Sequence, residues 1–411
     1  YHFQGDVFLA QKDYKKAGKY FDKADKEFKK AEKLGDSLLY GNWAEVHYSN
    51  AISMAQQEKN DKMIESLQKA ESLYETKPMT QVSRKYEMIK STLIKYYEDK
   101  EDFMHYLVCK SKFYQYLDSV KFGDMNHFQA YMGEAIEMGD LWSKIGVPTA
   151  ALRYYKEAKE AKEFLMQYGE TPDDQYYKLS YSVARYYRMS DSIEQAVEQF
   201  RQCSELNRKM YCDTAPDDCK FNELNIKSQT AQCLENLAEK DPENADTWNK
   251  EALKLYDTVV SELATMDTNP SLKRNRGYYH RRMGVVCYSL NRIYTANKHF
   301  DTSLAVLTPL YQNGYKEYVE EDIALNYIAK ALVYKHDEEM YDIAKSKENL
   351  LKCMEICQNA SDPDEMTSIY FNATSLMVDI LEDPSHPGNA DELKKYRKQK
   401  AELEKKLEKD K

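Results

Sequence analysis

The chain has 411 residues, a formal net charge of −10, and only 13 Gly and 10 Pro. Because one hydrophobic core rarely serves more than about 250–300 residues, this length predicts several domains or a repeat array. So few Gly and Pro residues exclude a collagenous, disordered or turn-rich all-β chain. The negative charge disfavours general binding to nucleic acids or membrane surfaces. No stretch approaches the ~18 consecutive apolar residues of a membrane span.

One spacing of small and aromatic residues recurs four times along the chain. In each copy a small residue is followed twelve positions later by Ala, then by an aromatic residue four positions on and by a third small residue three positions after that. Two antiparallel helices pack closely only where small side chains let their backbones approach, and aromatic residues at helical spacing fill the space beside them. The pattern therefore predicts helical hairpins. The four copies are Gly5, Ala17, Phe21, Ala24; Gly139, Ala151, Tyr155, Ala158; Ala184, Ala196, Phe200, Cys203; and Gly284, Ala296, Phe300, Ser303.

This pattern resembles the tetratricopeptide repeat, a helix–turn–helix unit with small, aromatic and small residues at these offsets. The copies, with four weaker ones among and after them, follow one another at intervals of about 45 residues, longer than the ~34 of the usual repeat. We therefore predict an all-α fold, a right-handed superhelical solenoid of about nine antiparallel helix hairpins. Eight of these hairpins fall within residues 1–360, and an atypical ninth within 364–408.

The interval between the copies ending at Cys203 and Val259 is the longest, 56 residues, and is the predicted irregular point of the array. Its loops are expected near 210–220 and 239–246. We accordingly divide the chain into N-terminal hairpins over 1–209, C-terminal hairpins over 210–390 and a charged terminal or capping helix over 391–411. The alternative for this last helix is the start of a coiled coil.

The sequence lacks the motifs that carry catalysis or metal binding. Its eight His residues are scattered, and it contains no HExxH, P-loop, GxGxxG, GxSxG or kinase signature. Cys353 and Cys357 lie four apart on one helix face without a further ligand at metal-binding spacing, which indicates core packing. We expect a protein that is not an enzyme and that needs neither a metal nor a cofactor.

The eight cysteines are too few for a disulfide scaffold in a chain of this length. Six lie within apolar helical patterns, where a reduced thiol behaves as a small hydrophobic group. Only Cys212 and Cys219, on either side of 213–218, have the spacing for a local disulfide, and the sequence leaves their state open. A cytoplasmic location is expected. The alternative is the periplasm, with a signal peptide removed from ahead of Tyr1.

Basic and Tyr residues share one face of two predicted helices, each the first helix of its hairpin. First helices line the concave surface in tetratricopeptide proteins, so the resemblance implies peptide contacts there. An Arg fork beside a Tyr ring suits an acidic side chain, a free carboxylate or a phosphate. The structural alternative is a solvated face whose Arg residues pair with acids such as Glu194 or Glu198. The residues assigned to partner binding are Lys178, Tyr181, Arg185, Arg188, Tyr278, Arg281 and Tyr288.

A basic patch covers residues 273–282, where Arg281 is joined by Lys273, Arg274, Arg276 and Arg282. Tyr residues interleave these cations, a combination that suits single-stranded nucleic acid. One short patch in a chain of net charge −10 is a weak footprint for such a ligand. Nucleic-acid binding is therefore the minor alternative.

The main hypothesis for function is a non-catalytic scaffold that binds a protein or a peptide, without a small-molecule substrate. The second hypothesis is a sensor or regulatory region of a bacterial signalling protein. It rests on a likeness to the repeat regions of such proteins and, more loosely, to peptide-pheromone receptors that are also rich in Tyr, of which this chain has 35.

Overall fold

The computed structural model describes residues 1–34, 39–76, 83–266, 269–384 and 389–409, and these form eighteen helices and no strand. Odd-numbered helices are the first, and even-numbered helices the second, of successive hairpins. The predicted all-α fold of tetratricopeptide-like hairpins is confirmed, whereas the right-handed superhelix stays a prediction. In chain order the helices are α1 (His2–Ala10), α2 (Tyr14–Lys33), α3 (Tyr40–Ala55), α4 (Asn60–Glu75), α5 (Arg84–Asp99), α6 (Phe103–Val120), α7 (Met125–Ile145), α8 (Pro148–Gln167), α9 (Asp174–Met189), α10 (Ile193–Tyr211), α11 (Pro216–Lys240), α12 (Ala245–Thr265), α13 (Pro270–Ser289), α14 (Ile293–Gln312), α15 (Lys316–His336), α16 (Ile343–Gln358), α17 (Thr367–Glu382) and α18 (Ala390–Lys409).

The repeated small and aromatic residues make the close contact inside each strong hairpin. A Cβ added to Gly139 of α7 would lie 2.8 Å from Cε1 of Tyr155 on α8, too close for any side chain but Gly. Gly284 meets Phe300 in the same way. The Ala at the first signature position of the second helix is fully buried, as Ala151 illustrates. The aromatic ring of the second helix thus packs directly against the backbone of the first helix at its glycine.

A recurrent short turn joins the two helices of a hairpin. In six hairpins this turn contains a residue in the left-handed region, which Gly adopts without strain and other residues adopt at a cost of about 1 kcal/mol. Five of these residues are not Gly and have φ between 55° and 62°, and the sixth, Gly146, has φ of 83°. The five are Lys12, Glu58, Glu101, Asp191 and Asn291.

The described residues form two compact units, Tyr1–Tyr186 and Tyr187–Lys411. Consecutive helices pack on one another in chain order from α1 to α8 in the first unit and from α10 to α18 in the second. The division falls within α9, earlier than the boundary expected between 209 and 210, so the functional domains drawn from the sequence stay predictions.

The 56-residue interval is explained by long helices rather than by irregular chain. Here α11 has 25 residues and α12 has 21, so the connecting loops are shorter than the 210–220 and 239–246 expected. Pro216 occupies the first position of α11, where a helix needs no N–H donor, and therefore starts the helix instead of breaking it.

The last helix, α18, packs on α17 through Tyr396, which is buried in the same apolar cluster as Met377. Its remaining residues are largely exposed and charged. None of the helices in the described ranges is both long and apolar enough to cross a membrane.

Candidate functional site

A depression of about 430 Å³ lies in the first unit between the first helices α7 and α9. Its apolar floor includes Ile136 of α7 and Leu179 of α9. Polar groups surround this floor, so the depression combines a small apolar surface with charged and hydrogen-bonding side chains. The polar lining residues are Asp140, Tyr155, Asp174, Gln175, Lys178 and Ser182.

Tyr155 connects the hairpin contact to the depression. Its ring lies on Gly139 and stacks on the ring of Tyr186, with centroids 5.2 Å apart. Its hydroxyl donates a hydrogen bond of 2.5 Å to Oδ1 of Asp140. Burial, together with this carboxylate, raises the pKa of Tyr155. The hydroxyl therefore stays protonated at neutral pH and fixes the orientation of the Asp140 carboxylate.

The two predicted basic residues beside the depression differ in their partners. Nζ of Lys178 lies 2.5 Å from Oδ2 of Asp174 one turn earlier on α9, and both side chains are exposed. Arg185 is also exposed, and its guanidinium lies 5.8 Å from the ring centroid of Tyr186. Among the described residues no carboxylate lies within ion-pair distance of Arg185. Arg185 is therefore an exposed charged donor group without a carboxylate partner in the described residues.

The other two predicted residues of α9 are half-buried. The Tyr181 ring stacks on Tyr177 with centroids 6.5 Å apart. Arg188, which belongs to the second unit, has a buried Nε without a hydrogen-bond partner among the described residues. Its charge acts on the Cys233 thiol, whose pKa burial raises to about 12 while Arg188 opposes the rise. In the second unit, Glu198 pairs with Arg201.

In the second unit, Arg281 of α13 is buried and not exposed as expected for a ligand contact. Its Nη2 lies 2.8 Å, and its Nε 3.1 Å, from Oδ1 of the buried Asp322 on α15. Arg274 approaches the same carboxylate at 3.6 Å and donates from Nε to the carbonyl of Tyr318 at 3.1 Å. One buried carboxylate is therefore shared by two of the predicted cations and connects α13 to α15.

Arg282 has a second buried carboxylate as its partner. Its Nη2 and Nε lie 2.7 and 3.2 Å from the two oxygens of Glu235 on α11, which also accepts a hydrogen bond from the Tyr256 hydroxyl. Burial raises the pKa of Glu235, and Arg282 and Tyr256 counteract that rise. Three of the five cations in the basic patch at 273–282 thus have acidic partners within the fold. Nucleic-acid binding there stays a prediction.

The remaining residues of α13 have varied environments. The Tyr278 ring lies between the Arg281 guanidinium, 5.2 Å from its centroid, and the ring of Tyr279. Tyr288 is half-buried against the apolar cluster around Phe300. Lys273 and Arg276 are half-buried, and the charge of Arg276 lowers the pKa of His280, an effect smaller than that of burial. The described residues contain no group of three His, Cys, Asp or Glu side chains that could hold a metal ion.

Sequence reasoning missed the carboxylates that pair with α13. Asp322 lies 41 positions after Arg281, and Glu235 lies 47 before Arg282. The Ser143 and Tyr186 hydroxyls, which are hydrogen-bonded to each other, lie 43 apart. These separations equal one repeat, because successive first helices pack side by side. A search for complementary side chains about 45 positions apart would have found them.

Comparison with known proteins gives only distant structural likenesses. No family model matches the chain, and no curated protein matches it. The quorum sensor NprR from B. thuringiensis, in its apo form, is 16% identical over 88% of this chain and 93% of its own, with a TM-score of 0.48. The apo form of RapI is 13% identical over 99% and 97%, with a TM-score of 0.42. BtubC from P. vanneervenii is 17% identical over 61% and 88%, with a TM-score of 0.41. We transfer no function from any of the three.

Proposed function

We propose that this chain is a non-catalytic scaffold that binds a protein partner or a peptide on the face formed by its first helices. The observation that carries this proposal is Arg185, whose exposed guanidinium has no acidic partner among the described residues. Arg185 lies three positions after Ser182, which lines the α7–α9 depression. A guanidinium without an acidic partner can donate two parallel hydrogen bonds to an acidic side chain or to a terminal carboxylate.

The depression supports a ligand of peptide type. Its volume of about 430 Å³ lies at the lower end of the roughly 300–1,000 Å³ of ligand pockets, which suits a segment of an extended chain. Ile136 and Leu179 would contact an apolar side chain, and Ser182 and Lys178 would hydrogen-bond to its backbone or to a neighbouring polar group.

Of the three residues of α13 predicted to bind a partner, two keep that proposed role and one does not. Tyr278 and Tyr288 stay as proposed ring contacts for the partner. Since Asp322 neutralises Arg281, we assign Arg281 to positioning the Tyr278 ring rather than to binding a ligand carboxylate.

The test is selection of a peptide, followed by substitution of Arg185. Random peptides with free C termini are selected against the full chain, and the affinity of the selected peptide is measured by fluorescence polarisation. Arg185→Ala should weaken binding by tenfold or more, because a hydrogen-bonded charge pair contributes about 1.5–3 kcal/mol. The melting temperature should change little, because the guanidinium is exposed and its described contact within the fold is the weak one with the Tyr186 ring.

Arg153→Ala is the matched control. Arg153 is exposed, lies over the neighbouring ring of Tyr154 as Arg185 lies over Tyr186, and belongs to the second helix α8. Its loss should leave the affinity unchanged. A selected peptide that binds Arg185→Ala as tightly as the unmodified chain would remove Arg185 from the site.

We also propose a cytoplasmic location for the chain. Six of its cysteines are buried free thiols, which suits a reducing compartment.

A further inference from the structure

Cys212 and Cys219 are joined by a disulfide at the turn between α10 and α11. Their Cα atoms lie 5.0 Å apart, within the usual range for a disulfide. The other six cysteines are buried free thiols. The chain thus combines a reduced interior with one short disulfide loop at its surface, and the two sulfur atoms of this bond have different surroundings.

The Cys212 side is half-exposed, whereas the Cys219 side is buried and held by its neighbours. Nδ2 of the fully buried Asn207 donates to the Cys219 carbonyl at 2.9 Å and lies 3.5 Å from its Sγ. Cys219 also belongs to the first turn of α11, which begins at Pro216. When the bond breaks, the positive end of the helix dipole and the Asn207 amide stabilise the negative charge that the Cys219 sulfur receives, which makes Cys219 the leaving sulfur.

A depression of about 460 Å³ adjoins the bond and is lined by both cysteines, Leu224, Lys227 and Thr258, among others. A thiol of tripeptide size therefore has room to approach the exposed sulfur. We infer that Cys212 is a thiol–disulfide exchange site that takes a low-molecular-weight thiol such as glutathione, and that opening of the bond loosens the turn between α10 and α11.

The exchange proceeds in two steps. A thiolate attacks Sγ of Cys212, the bond to Sγ of Cys219 breaks, and the electron pair leaves on Cys219, which takes up a proton from solvent. A second thiol then attacks the outer sulfur of the mixed disulfide. The products are two protein thiols and one disulfide of the small thiol, so the protein gains the two electrons that the two thiols lose.

The turn between α10 and α11 contains backbone hydrogen bonds that remain when the disulfide opens. The amides of Thr214 and Ala215 donate to the Tyr211 carbonyl at 3.1 and 2.7 Å, and the Cys219 amide donates to Ala215 at 2.9 Å. These amides exchange with solvent only when the turn opens, and they therefore report the state of the bond.

Two single substitutions test the asymmetry between the sulfurs. Each variant of the full chain is incubated with oxidised glutathione, and adducts are located by mass spectrometry. Each variant keeps one of the two cysteines. The Cys212 that remains in Cys219→Ser should carry about tenfold more adduct than the Cys219 that remains in Cys212→Ser, because Cys212 is half-exposed and Cys219 is buried. Equal labelling of the two residues, or labelling of neither, would overturn the proposal.

Hydrogen exchange of the unmodified chain tests the consequence without any substitution. In a series of reduced and oxidised glutathione mixtures, the fraction of bonded Cys212 and Cys219 should change reversibly. Exchange of the Thr214, Ala215 and Cys219 amides should accelerate about tenfold on reduction. Cys203→Ser, which changes a buried cysteine outside the disulfide in the same unit, should keep this response. Free thiols at both positions in excess oxidised glutathione, or identical exchange in the two states, would contradict the inference.

Discussion

At the scale of single residues, two histidines on one hairpin respond to pH. Nδ1 of His280 on α13 lies 3.3 Å from Nδ1 of His299 on α14, so the two facing nitrogens can share one proton. Burial, with smaller contributions from His299 and Arg276, lowers the pKa of His280 to about 4. Burial also lowers the pKa of His299, against the attraction of Asp257 and together with the repulsion of Lys298.

This pair should destabilise the second unit in acid. Since the pKa of each histidine in the fold lies below its unfolded value of about 6.5, protonation favours the unfolded chain. The contribution of the pair to stability is present above pH 6.5 and is lost as the pH falls toward 4. The unfolding free energy, measured in urea, should fall between pH 7.5 and pH 4.5. In His280→Gln this fall should be smaller by about 2 kcal/mol than in the unmodified chain. An equal loss in the variant and the unmodified chain would show that His280 does not titrate in this way.

At the scale of elements, the hairpins combine predictable packing with turns that the sequence does not reveal. Small residues under aromatic rings follow from residue size alone, and so the contact of Gly139 with Tyr155 was predictable. The turn residues were not, because Lys12, Glu58 and Glu101 have little preference for the left-handed backbone that they adopt. The packed helices impose this conformation on them.

The strain in these turns can be measured by exchanging Gly and side-chain residues. Glu101→Gly should raise the unfolding free energy by about 0.5–1 kcal/mol, since Gly adopts φ of 55° without steric cost. Gly146→Ala should lower it by about 1 kcal/mol, although a Cβ there would meet nothing within 4 Å. Denaturant melts of both variants provide the check, and a loss of stability in Glu101→Gly would contradict the account.

At the scale of the whole molecule, sequence reasoning recovered the repeat but not the pairing between repeats. Hairpin order follows from a pattern that recurs about every 45 residues, whereas the partner of a charged residue depends on the register of neighbouring first helices. The sequence alone did not indicate that Arg281 is buried, because its partner, Asp322, lies one repeat away. Arg185 has no such partner in the described residues, and it therefore carries the proposed site.

Photo-crosslinking of a bound peptide tests this account most directly. A peptide selected against the full chain carries benzoylphenylalanine at successive positions, and the crosslinked residues are mapped by mass spectrometry. The account predicts that the crosslinks in the first unit fall on α7 and α9 and disappear when unlabelled peptide competes. Crosslinks on the second helices α6 and α8, with none on α7 or α9, would contradict it.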